Sequence, residues 1–512
     1  MKQLFCIFFI PLAICIGIII IVFGPDEAGF TFVNGPEPET IDPPLVTGAV
    51  EGRIVGSLFE GLTCYNPKDL SPEPGIAKEW KISDDGLVYT FFLRKSMWSN
   101  GEPLTAYDLV YSWERALMPA TAADYAYQLY YIKNGKAYNE GLINDFSQVG
   151  VKAVDDYTLK VILEHPVPFF INLTSFSTLF PVNKTCIEKY GDNWTRPENI
   201  VSNGPFCLKE WRINHLIILS KNPLYWDADN VNLKNIKFQT VESINTGFNM
   251  YESGHADFIH AAPLPLVGIL KQRNDFHTSV YLATYFYRFN VSRPPFNDAR
   301  VRKAFNHAVD KDAIIKYVTK GGELPAKTFV PVGMPGYKPP DGLEYNVKEA
   351  QRLLAEAGYP GGKGFPSVEL LFNTSESNKN IAEVIQQMLK KNLNVNVRIL
   401  NQEWKVFLSA TKKLDYQISR ASWIGDYIDP NTFLDIFVTN GGNNRTGWSN
   451  SEYDALIQMA AKEHDNEKRF KLFQKAEKIL IEDELPIMPI YYYVSHNMYR
   501  DTREWRILCQ NN

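Results

Sequence analysis

The chain lacks most of the signatures that announce catalysis. Cysteine is scarce, six in 512 residues, and no Cys-x-x-Cys occurs, which leaves zinc or iron–sulfur ligation with little support. Eight scattered histidines include no His-Glu-x-x-His, so no metalloprotease helix is present. Neither the phosphate-cradling Gly-x-x-x-x-Gly-Lys-Ser/Thr loop nor a Gly-x-Ser-x-Gly nucleophile elbow is found. Positive charge is in deficit, 53 Lys and Arg against 58 Asp and Glu, and a net charge of −5 supplies no basic stripe for nucleic acid. Acid runs such as Asp84-Asp85 and Glu482-Asp483-Glu484 sit at turns or helix ends, where solvated charge explains them. No internal repeat or low-complexity tract appears. No metal or cofactor is expected.

One long apolar run exists, residues 4–23, interrupted by Pro11 and Gly17 and preceded by Lys2. It is long enough to span a bilayer and exceeds the usual apolar region of a cleaved signal. The box Leu12-Ala13-Ile14-Cys15 is similar to a lipoprotein cleavage site, with Ile14 where a small residue belongs. An uncleaved anchor and a lipid-linked one therefore stay open. The rest of the chain is expected on the periplasmic or extracytoplasmic face of the inner membrane. Of the remaining cysteines, Cys64, Cys186, Cys207 and Cys509, three pairings are possible and the sequence selects none.

At this length two or three domains are expected, and 45% hydrophobic with 22% charged residues is ordinary for a globular protein. Asp84-Asp85-Gly86 marks a hairpin between residues 81–83 and 88–93, and Asp155-Asp156 marks another within residues 151–163. Helices are predicted over residues 108–118, 298–309, 452–464 and 467–482. A further helix over 346–358 has Asn346 and Glu349 as a capping box and Gly358 as its end. Residues 370–373, 380–391 and 395–400 read as a β-α-β unit, and an apolar strand covers 487–494. The alternation predicts an α/β domain on a mixed sheet.

The segment RASWIGDYIDP, residues 420–430, carries the most information. Asp426 lies among aromatics with Arg420 six positions earlier. An acid to receive a cation and a base to receive an anion, at fixed separation, suit a short peptide zwitterion.

Read in order, LFEGL (58–62), LRKSMWSNGEPLTAYDLVYSWERAL (93–117), NGPF (203–206), PPFNDARVRKAF (294–305), LLAEAGY (353–359), NQEWKVFL (401–408), the RASWIGDY run and PIYYYV (489–494) resemble the periplasmic oligopeptide-binding proteins of peptide ABC importers, solute-binding protein family 5. The resemblance covers almost all of the chain after the leader. It implies an α/β, periplasmic-binding-protein-like type II fold, in which two lobes close on a hinge with an extra domain inserted. The implied divisions are a leader at 1–27, the first lobe at 28–73 and 202–282, an inserted domain at 74–201, the second lobe at 283–490, and a tail at 491–512 returning to the first lobe. The implied partners are short peptides and the membrane subunits of an ABC permease, with membrane contact through the N-terminal segment and a monomeric state.

The same resemblance implies the site. Asp426 holds the peptide ammonium and Arg420 its carboxylate, with Lys320 near a second cation position. Backbone at Ser422, Trp423 and Gly425, and at Glu60, Gly61 and Leu62, pairs with the extended ligand. Trp404, Trp423, Tyr427 and Tyr285 wall side-chain pockets, and Asn378 stands where relatives carry a histidine. A cysteine pair of some relatives is represented by Ile424 and Ala283. Each residue also has an ordinary reading: Asp426 as a turn cap, Arg420 as an ion-pair partner, Glu60 as an internal acceptor, and the aromatics as core. Two other functions stay open, the same fold with a non-peptide ligand such as haem, a metal chelate or an oligosaccharide, and an anchored hydrolase.

Overall fold

The computed structural model describes residues 29–66, 71–463 and 465–500. The apolar leader, Cys509 and the tail at 505–509 lie outside the described residues. An eleven-stranded mixed sheet organises the molecule, in the order Phe206–Arg212, Leu216–Lys221, Asn235–Thr240, Phe30–Gly35, Phe258–Ile259, Ile487–Tyr499, Phe276–Phe289, Ile418–Ile424, Val368–Asn373, Val397–Gln402, with Leu324–Pro325 paired beside Tyr491 and Tyr492. The first five strands belong to one lobe and the last three to another. Between them run two long antiparallel strands, of 13 and 14 residues, which cross from lobe to lobe. Their register shifts between Val280 and Thr284, so regular pairing lapses where the lobes meet. A bulge of this kind loosens the ladder locally and is where a hinge can flex.

The local sequence explains the elements of the second lobe. Val368–Asn373 and Val397–Gln402 pair in parallel and are joined by the helix Glu376–Leu393, which starts earlier than its apolar periodicity predicts because Ser375 caps it. Asn394 ends that helix in the left-handed region (φ 54°). Asn346 accepts the Glu349 amide at 3.1 Å and starts Val347–Glu356, and Gly358 follows with φ 98°. Two apolar clusters fill the two faces of this part of the sheet, one around Tyr285, Tyr287 and Ile385, the other around Phe286, Trp423 and Phe437.

A separate four-stranded antiparallel sheet, Ala77–Ile82, Val88–Leu93, Thr158–Ile162 and Val151–Asp155, carries both predicted hairpins. The helix Ala106–Leu117 packs there, with Trp113 fully buried and its Nε1 donating to Leu179 O at 2.9 Å. This unit leans on the second lobe: Phe169 stacks on Tyr427 at 4.7 Å, and Tyr125 on Trp423 at 5.9 Å. Cys64, Cys186 and Cys207 are free thiols.

The loop after Asp426 is pinned by a buried ion pair. Both oxygens of Asp429 accept from Arg469 at 2.7 Å, and the guanidinium also lies against Phe473 and Phe169. Removing one member of such a pair strands the other in a low-dielectric interior, so Arg469→Met costs about 3–5 kcal/mol. Urea denaturation monitored by tryptophan fluorescence reads that loss, and the double replacement Asp429→Leu with Arg469→Met recovers most of it.

Candidate functional site

The strand Ile418–Ile424 is covered on one side along its whole length by residues 283–289. On its other side Val368–Asn373 reaches only Ile418 and Ser419. From Arg420 onward this second edge has no partner strand among the described residues. Gly425 N–H donates to Leu282 O at 2.7 Å, so by two-residue alternation the amides and carbonyls of Trp423 and Ala421 also face the covered side. Those of Ser422 and Ile424 point to the open edge. An extended chain can add there as a strand. Gly425 is needed for this geometry, because a Cβ would lie 2.7 Å from the Leu282 side chain and 3.0 Å from Phe433. Ala283 and Ile424, the positions of the relatives' cysteine pair, are directly opposite in the ladder.

Asp426 stands at the end of that edge. Its Oδ2 accepts from Gln128 Nε2 at 3.2 Å and Thr432 Oγ1 at 3.4 Å, its amide donates to Thr432 Oγ1, and its carbonyl accepts from Tyr65 OH at 2.7 Å. Among the described residues no Lys, Arg or His lies within ion-pair distance of it. Burial, and next the carboxylate of Asp435, raise its pKa well above the ordinary value, while Thr432 opposes the rise. Asp435 is itself buried, without a cation among the described residues: Oδ2 accepts from Asn431 Nδ2 (2.9 Å) and Tyr131 OH (3.4 Å), and Oδ1 has no partner among them. Two enclosed carboxyls without a counter-charge leave a strong demand for a cation.

The other end of the edge is positive. Arg420 Nη2 donates to Tyr493 OH at 2.7 Å, Nη1 approaches Asn373 Oδ1 at 3.5 Å, Nε has no partner, and the guanidinium lies 4.8 Å from the Tyr285 ring. Asn378 donates to Asn373 Oδ1 at 3.0 Å and accepts from Tyr285 OH at 3.2 Å, so it braces the arginine's surroundings from within. Tyr493 and Tyr281 meet edge to face at 6.3 Å beside the register shift.

Other expected residues are spent elsewhere. Both oxygens of buried Glu60 accept at 2.6 Å, from Tyr225 OH and Trp226 Nε1, and burial pushes its pKa up to about 7. Its amide and carbonyl are taken by Asn203, while the carbonyls of Gly61 and Leu62 accept from Ile76 and from Gly75 and Ala77. The side chain of Glu60 thus has an internal role, and the carbonyls of residues 60–62 are taken within the protein. Lys320, exposed at the left-handed end of the turn Ile315–Thr319, is not brought to the Arg420 network. Trp423 and Tyr427 are packed between the second lobe and the inserted unit: Trp423 donates to Thr432 O at 2.6 Å, and Tyr427 OH accepts from Asn431 Nδ2 at 3.0 Å. Trp404 bridges the lobes, its Nε1 donating to Glu51 Oε1 at 3.4 Å.

Sequence reasoning missed Gln128, Tyr65, Asp435 and the latch formed by Asp124. That carboxylate receives Arg445 Nη2 at 3.0 Å and Lys412 Nζ at 3.1 Å from the second lobe. Gly442 lets the two backbones touch there, since a Cβ would sit 2.2 Å from Asp124 O. No local periodicity marks such contacts between distant segments.

Residues 71–445 match the model of the bacterial extracellular solute-binding proteins, family 5. The chain belongs to this family. A dipeptide-binding protein, DppE, of Bacillus subtilis is 40% identical over 476 residues, covering 90% of this chain and 86% of its own. Listeria monocytogenes OppA bound to peptide superposes with a TM-score of 0.86 at 35% identity, over 92% of this chain and 94% of that one. The Escherichia coli murein tripeptide binding protein MppA superposes at 0.89 with 34% identity, over 93% and 95% of the two chains. Its unliganded open form reaches only 0.64, with the same identity, over 95% of each chain. The present arrangement is therefore not the open one, in keeping with the contacts between lobes.

The Asp124 latch exists only when the inserted unit and second lobe are together. Asp124→Ala speeds release of a trapped ligand about tenfold or more and changes association little, because charge-assisted bonds lost from a closed state act on dissociation. Stopped-flow displacement of a fluorescent ligand measures both rates.

Proposed function

We propose that this protein captures short peptides in extended form between its two lobes and hands them to the membrane subunits of an ABC permease. The observation that carries the reading is the cation-free carboxyl of Asp426 at one end of an open strand edge whose other end bears Arg420. A peptide supplies what each part lacks: an ammonium for Asp426, backbone donors and acceptors for Ser422 and Ile424, and a carboxylate for Arg420. Strand geometry of ~3.3 Å per residue puts Arg420 and Asp426 at most about 20 Å apart, so peptides of up to roughly six residues fit. Main-chain recognition is shared by all peptides and leaves side chains to the surrounding pockets. The relatives described above, one a dipeptide-binding protein and one bound to peptide, agree with this ligand class.

In this reading the lobe divisions fall near 73, 201, 282 and 490, and the protein carries its ligand without transforming it. It works on the extracytoplasmic side as a monomer tethered through its N-terminal segment. Among the described residues no helix is long and apolar enough to cross a membrane.

Asp426→Ala, or acetylation of the peptide amine, weakens binding on the order of a hundredfold or more, because each strands one member of an enclosed charge pair. Isothermal calorimetry with a free and an N-acetylated tripeptide reads the difference, and equal affinities would remove Asp426 from this role.

The pH dependence follows from the same pair. Bound ammonium favours the ionised carboxyl, so affinity is fully present above the free protein's Asp426 pKa and is lost as pH falls through it. Because burial and Asp435 raise that pKa, the loss sets in above the usual aspartate value of about 4. A second decline begins near about pH 8 as the amine deprotonates. Calorimetric titration from about pH 4 to about pH 9 should trace this bell, and a flat acid limb contradicts it.

A further inference from the structure

Arg288 is the anomaly of the second lobe. It is 8% exposed, its side chain makes no hydrogen bond or ion pair among the described residues, and its Nε is sealed from water without a partner. The ring of Phe286 lies 5.5 Å from its guanidinium carbon. A buried, unpaired guanidinium is costly and is retained only where something compensates it.

Its surroundings do not supply the compensation. Arg288 lies opposite Ser419 in the ladder, whereas Arg420 lies opposite Tyr287, so the two arginines occupy the same end of the strand on opposite faces of the sheet. The Arg288 face is the one shared with Phe286 and Trp423, turned toward the inserted unit. Arg445 and Tyr416 adjoin it, and Arg445 reinforces the effect of burial in pulling the guanidinium's pKa down to about 10. Nearby, Arg445 and Lys412 already share the single carboxylate of Asp124, while exposed Asp415 is taken by Arg293. Arg445 and Lys412 thus share one acid, and none is left beside Arg288.

We propose that Arg288, with Arg445 beside it, forms a subsite for a carboxylate side chain, so that this protein selects short peptides carrying an aspartate or glutamate. The inference rests on the peptide reading above. A strand added along the open edge projects its side chains alternately to the two faces, so one residue near the Arg420 end turns toward Arg288. The negative side chain then provides the charge and the acceptors that the pocket lacks.

The test is a set of matched peptides two to five residues long, each position carrying Glu in one member and Gln in the other, titrated against the full protein and its Arg288→Met variant. At one position Glu should bind about tenfold or more tighter than Gln, and Arg288→Met should erase that preference while leaving affinity for uncharged peptides within about threefold. Thermal unfolding of ligand-free Arg288→Met should show a midpoint equal to or above that of the parent, since no bond is lost and a buried charge is removed. Equal binding of Glu and Gln at every position, or an unchanged ratio in the variant, overturns the subsite while leaving the peptide reading intact. Binding of no member of the set overturns both. A lowered unfolding midpoint makes Arg288 a structural residue and overturns the assignment.

Discussion

Charge left without its opposite is the constraint on which the arrangement of this molecule depends. Two buried acids of the scaffold are fully neutralised: Asp429 has both arms of Arg469, and Asp42 has both arms of Arg115 at 2.9 and 2.5 Å. Among the described residues Asp426 and Asp435, by contrast, lack cations, and Arg420 and Arg288 lack anions. Net stability of a domain is only about 5–15 kcal/mol. In the proposed function a bound peptide completes these groups, and the dense pairing around them keeps the scaffold rigid meanwhile.

That rigidity comes from two cores that meet at a weak seam. The Phe286–Trp423–Phe437 cluster takes in Tyr125 from the inserted unit, and the core of the first lobe takes in Tyr427 from the second. Aromatic faces exchanged in this way cement the closed state over a broad area without a continuous core. The long strands then limit relative motion to a swing about the stretch where Val280 and Thr284 fall out of register.

Much of this was legible in the sequence, and the reasons differ by element. Both hairpins of the inserted unit, the Asn346 cap and the parallel β-α-β unit announce themselves through turn chemistry and periodicity, which are local. The ends of the long strands were not legible, because pairing with a distant partner carries the strand past residue 494 to Tyr499. The resemblance brought Asp426 and Arg420 forward as the residues for a peptide's two ends, and the structure places them at the two ends of one strand edge. It could not show that Glu60 is consumed by Tyr225 and Trp226, about 165 residues away. Nor could composition show that Arg288 lacks a partner, since a solitary arginine in a strand looks the same whether or not an acid folds back to meet it.

The sheet order carries one consequence for biosynthesis. Residues 487–499, near the C-terminal end of the described chain, occupy the middle of the eleven-stranded sheet and not its margin. The half-sheet begun by residues 30–35 stays split until almost the entire polypeptide has left the ribosome. A nascent chain of this topology cannot close its central sheet early.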